Sequence, residues 1–133
     1  MASTSSGRSA AGAEALERLR EITSALPEIT ERVSHGAPTF FIRDKRVLAN
    51  LFEDHHGDGN LAMWCPAPPG VQAELVEQEP ERFFVPPYVG HRGWVGVRLD
   101  VDPDWDEVAT MVEEAFRLVA PKTLVARLDQ GDT

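Results

Sequence analysis

The chain has 133 residues, the length of one ordinary domain, and its 42% hydrophobic and 26% charged content excludes an unfolded polar chain and allows a core without disulfides or a structural metal. Its 13 basic and 22 acidic side chains leave a formal charge of -9, which counts against tight non-specific DNA binding but not against a local basic face. The single Cys65 excludes an intrachain disulfide, and no apolar run has the length of a membrane span.

Residues 1–12 are rich in Ser, Ala and Gly and lack the apolar stretch of a signal peptide. They read as a disordered tail, and cytoplasmic residence is the expectation. Residues 13–26 read as an amphipathic helix, with Leu16, Leu19, Ile22 and Leu26 at spacings of three and four. Pro27 ends it, and residues 28–34 read as a second short helix started by that proline and stopped near Gly36. Strands are expected over 38–43 and 46–53, joined by a tight turn at Asp44-Lys45. A polar loop over 54–59 leads to a third strand over 60–65. A proline-rich connector and a helix over 71–78, with Val71, Leu75 and Val76 on its apolar side, come next.

Further strands are expected over 82–85 and 94–100, separated by the loop Pro86-Pro87-Tyr88-Val89-Gly90-His91-Arg92-Gly93. In the last of them Val95, Val97 and Leu99 alternate with Trp94, Gly96 and Arg98. A long helix follows over 104–119. Asp104 and Glu107 have capping-box spacing, and Val108, Met111, Val112, Ala115, Phe116 and Val119 form one stripe. Pro121 breaks it before a last helical turn over 122–128. The order predicts a single two-layer α+β domain over 13–128, a five-stranded antiparallel sheet with helices on one face, and a fraying end over 129–133.

Few groups in this sequence suit chemistry. The loop Asp54-His55-His56-Gly57-Asp58-Gly59 collects metal-ligating types but offers no second ligand segment, so a solvated loop without zinc is expected. Asp100, Asp102, Asp104, Asp106 and Glu107 mimic a calcium loop, but Trp105 stands where its glycine belongs and Met111 where its last glutamate belongs. Dipole stabilisation and capping at a helix N-terminus account for these acids. No cation neighbours Cys65 in sequence, and nucleophile-elbow, phosphate-loop and zinc-protease patterns are absent. No catalytic residue and no cofactor are therefore expected, and the chain reads as a non-enzyme.

One segment differs from the rest. Residues 82–99 contain no Asp or Glu, yet carry Arg82, Arg92 and Arg98 with His91, Tyr88, Trp94 and two phenylalanines. Basic side chains interleaved with aromatics suit phosphate contact with stacking. Arg43, Lys45 and Arg46 form a second basic group at the tip of the first hairpin. The competing reading places the aromatics in the core and pairs the arginines with nearby acids.

The run His35-Gly36-Ala37-Pro38-Thr39-Phe40 with Lys45, the run Pro87-Tyr88 with His91-Arg92-Gly93-Trp94 and Leu99-Asp100, and Asp104-Trp105-Asp106-Glu107 with Phe116-Arg117-Leu118-Val119 together resemble the signatures of the MmcQ/YjbR family. The resemblance runs from about Leu26 to Leu124. It implies a twisted antiparallel sheet of the kind compared with CyaY and with double-wing transcription-factor domains, and with it a DNA-binding role. The motif positions carried over are Lys45, Tyr88, His91, Arg92 and Trp94.

The resulting expectation is a non-catalytic module binding a nucleic acid or a phosphorylated ligand weakly through Lys45, Arg82, Tyr88, His91, Arg92, Trp94 and Arg98, with no membrane partner. The rival expectations are a small-molecule or metal-binding accessory protein and a protein-interaction adaptor.

Overall fold

A computed structural model describes residues 9–54 and 59–131. The histidines His55 and His56, and Asp58 beside them, lie outside the described residues. Helix α1 (Ala10–Thr23) starts inside the stretch expected to be a tail, because the Ser9 hydroxyl accepts the Gly12 N–H at 3.0 Å and caps it. Its buried side carries Ala15, Leu16 and Leu19.

The segment expected as a second helix is instead strand β1 (Ile29–Ser34), so the sheet has six strands and not five. Ile29, Thr30 and Val33 are β-branched, which favours the pleated backbone over a helical turn. His35 and Gly36 both take positive φ, 54° and 77°, and close a tight hairpin onto β2 (Ala37–Ile42). The next hairpin turns one residue earlier than expected, through Arg43 and Asp44 at φ 53° and 61°, and leads into β3 (Arg46–Glu53). The Lys45 N–H donates to the Ile42 carbonyl at 3.0 Å and closes it. Strand β4 (Leu61–Cys65), helix α2 (Val71–Gln78), and strands β5 (Phe83–Phe84) and β6 (Val95–Arg98) follow. All neighbours pair antiparallel in the order β1-β2-β3-β4-β6-β5.

Alternation gives the sheet two unlike faces. Phe40, Ile42, Leu51, Met63, Cys65, Phe83, Val95 and Val97 point into the main core. There they meet α1, helix α3 (Trp105–Val119) and Leu124 of helix α4 (Lys122–Asp129). Of the expected α3 stripe, Val108, Val112, Ala115 and Phe116 are buried, and Met111 and Val119 pack at its margin. The opposite face holds a smaller cluster of Ala62, Trp64 and Trp94, flanked by Val47, Phe52, Phe84 and Val89. This second face positions the candidate site.

Candidate anion-binding cavity

A cavity of about 440 Å³ opens beside that cluster, lined by Ser34, His35, Lys45, Arg46, Val47, Asn50, Pro66, Val89, Arg92, Trp94 and Val119. The pairing between β2 and β3 shifts register between Phe40 and Phe41, a bulge at Leu48. The extra residue lets Val47 and Asn50, three apart in sequence, both reach this cavity. The Asn50 amide is fixed by donating to the Thr39 hydroxyl at 3.0 Å, and that hydroxyl donates to the Ala37 carbonyl at 3.0 Å.

The other wall comes from the loop before β6. A short 3-10 turn over Gly90–Arg92 ends at Gly93, whose φ of 86° is a conformation that glycine adopts without strain. Gln72 of α2 clamps this loop by donating from its amide nitrogen to the Gly90 carbonyl at 2.8 Å and the Trp94 carbonyl at 2.6 Å. The Arg92 guanidinium is carried over the Trp94 ring, 5.7 Å from its centroid.

Ion pairing decides which cations remain available. Among the described residues seven arginines pair with carboxylates: Arg20, Arg32, Arg43, Arg82, Arg98, Arg117 and Arg127. Five described cations carry no such pair, and three of them, Lys45, Arg46 and Arg92, line this one cavity. No carboxylate lines it among the described residues.

The seven expected site residues are thus divided. Lys45, Arg92 and Trp94 come together in the cavity, while Arg82 and Arg98 do not join them. Arg82 is held by Glu79 at 2.8 Å and by Glu107, which together raise its pKa further, and Arg98 lies 3.3 Å from Asp100. Their partners sit on the approach to β5, on α3 and just past β6, outside the acid-free segment. Tyr88 is 72% exposed with φ 70°, and His91 is exposed, but neither lines the cavity. Trp94, at 6% exposure, serves as wall and support. Arg46, Asn50 and His35 were missing from the expected site. Arg46 in the basic group at the hairpin tip and His35 in the first family motif were the sequence signals for two of them, and Asn50 had none.

Acids expected as caps act as such. The Asp104 carboxylate accepts the Asp106 and Glu107 N–H groups at 3.0 and 3.2 Å. Among the described residues no group of three or more His, Cys, Asp or Glu could hold a metal ion, and no helix is long and apolar enough to cross a membrane. Burial pushes the Cys65 thiol up to about 12, with the Glu114 charge adding to it.

With this geometry in place, the relationships of the chain follow. The YjbR family model matches residues 24–118, well over half of the sequence. The chain belongs to the YjbR family. Both hairpins that build the cavity lie inside the matched stretch. A crystal structure of Deinococcus radiodurans protein DR2400, which carries the DUF419 domain, superposes with a TM-score of 0.69 at 20% identity, covering 89% of this chain and 90% of that one. At that identity the likeness establishes the shared fold. No curated protein matches the chain.

Proposed function

We propose that this YjbR protein is a non-catalytic binding module that takes a phosphate-bearing ligand at the Lys45–Arg46–Arg92 cavity. The observation that carries the reading is the gathering, among the described residues, of three unpaired cations in one cavity without an acid, in a chain of net charge -9. A cleft lined by one sign of charge focuses its field and draws a counter-ion against the sign of the whole molecule. Arginine and lysine donors suit phosphate oxygens, and His35 adds a further polar group at the rim. Catalysis finds little support there, since among the described residues no carboxylate base lines the cavity and the single thiol is buried elsewhere.

The phosphate can belong to a nucleic-acid strand or to a small ester, and two features favour the ester. The volume falls in the range of small-molecule sites. The Trp94 ring, almost wholly buried and covered by Arg92, offers no open platform for base stacking.

Amide-resolved NMR titration with pyrophosphate and with a short single-stranded oligonucleotide tests the reading. The expected shifts fall on His35, Lys45 to Val47, Asn50 and Val89 to Trp94, and pyrophosphate produces them at lower concentration than the oligonucleotide does per phosphate. Lys45→Ala and Arg92→Ala each weaken binding by roughly three- to tenfold, the range for partly screened charges. Shifts centred on Arg82 and Arg98, or none with either ligand, contradict it.

A further inference from the structure

A second cavity of about 440 Å³ adjoins the first and shares Lys45, Arg46 and Val119 with it. The rest of its wall includes Leu118, Val119, Ala120 and Pro121, whose side chains supply apolar surface, and Leu118 is 47% exposed, while Ile42 is buried and faces the core. Arg43 also lines it, but its guanidinium donates to Glu28 at 3.0 Å and is already neutralised. The wall is also the C-terminal end of α3, the negative end of a helix dipole, which disfavours an anion there.

Resting on the phosphate reading above, we infer that the ligand is amphiphilic: a phosphate monoester whose anion lies in the first cavity and whose short apolar chain runs past Lys45 and Arg46 into the second. The two shared cations mark where the ester oxygen crosses from one to the other. Arg92 and His35 stand on the anionic side, and Leu118 and Pro121 on the apolar side. Charge thus fixes the direction of the ligand. The apolar wall sets its length.

The test is a calorimetric series on the full chain with methyl, butyl and hexyl phosphate, and with hexylammonium as the same chain of opposite charge. Affinity rises by about two- to threefold per methylene up to butyl phosphate and then levels as the open cavity fills. Leu118→Ser, on an exposed side chain, flattens this rise and leaves methyl phosphate unchanged, whereas Arg92→Ala weakens every ester alike. Hexylammonium does not bind. Equal affinity for methyl, butyl and hexyl phosphate overturns the amphiphile while the phosphate reading stands. A rise that survives Leu118→Ser, or hexylammonium binding as well as hexyl phosphate, overturns the assigned wall. Failure of every ester to bind overturns both readings.

Discussion

The Arg92 guanidinium lies over the Trp94 ring, and Gln72 reaches across from α2 to hold the carbonyl of Trp94. One side chain on a neighbouring helix therefore ties down the backbone from Gly90 to Trp94, the stretch that bears both the ring and the cation. Gln72→Ala leaves the Gly90 and Trp94 carbonyls without this donor. The expected cost to folding is about 1–3 kcal/mol, the usual net value of the two hydrogen bonds lost. Local opening of the turn is the more specific sign: the Arg92 and Gly93 amides, which donate to Val89 and Gly90 at 3.0 Å, exchange faster with solvent. Unchanged exchange there contradicts the clamp.

Gly96 is paired with Trp64 on one side and Phe84 on the other, and the Phe84 ring occupies the space a Cβ would need. Gly96→Ala forces that ring to move and is expected to destabilise the protein by about 1–3 kcal/mol in urea denaturation. In a Phe84→Ala background the same substitution costs much less, because the obstacle is gone. Additive costs would show that the strain lies elsewhere.

Cys65 is fully buried, with its thiol pushed up to about 12 by desolvation and, second, by the Glu114 charge. At pH 8 it therefore resists thiol reagents in the native protein and reacts only through unfolding. Labelling rates should rise with urea in step with the unfolded fraction. Rapid labelling without denaturant would contradict the burial.

Glu28 joins two distant elements, accepting from Arg43 at 3.0 Å and from Arg127 at 2.8 Å. The Arg43 hydrogen bond, and after it the Arg127 contacts, hold its carboxyl below the ordinary value of 4.5. A folded pKa below the unfolded one means that this contribution is complete above pH 4.5 and is lost as pH falls through the depressed value. Glu28→Gln should lower stability at pH 7 and flatten the acid side of the stability profile. An acid profile identical to wild type contradicts the linkage.

Most of the fold was legible because its patterns are local. The stripe from Val108 to Phe116 has a helical period, and the alternation from Val95 to Arg98 gives a strand. Residues 29–34 were misread because Pro27 and Gly36 serve equally as helix punctuation and as hairpin boundaries, and only pairing with β2 decides between them. The candidate site was legible in part. Lys45, Arg92 and Trp94, singled out through their motifs, line its cavity, but the acids that neutralise Arg82 and Arg98 come from outside the segment that suggested them. Arg46 and Asn50 reach the cavity through hairpin geometry and a bulge, which one-dimensional charge patterns do not encode.

The most direct measurement compares pyrophosphate binding by two variants that each lose three positive charges. Lys45→Ala/Arg46→Ala/Arg92→Ala empties the cavity of its cations, whereas Arg18→Ala/Arg98→Ala/Lys122→Ala removes three that do not line it. Isothermal titration at physiological salt should show binding lost in the first variant and kept within about twofold of wild type in the second, because charges outside the site act only through a screened field. Equal losses in the two variants, or a first variant that binds like wild type, would contradict a phosphate site in this cavity.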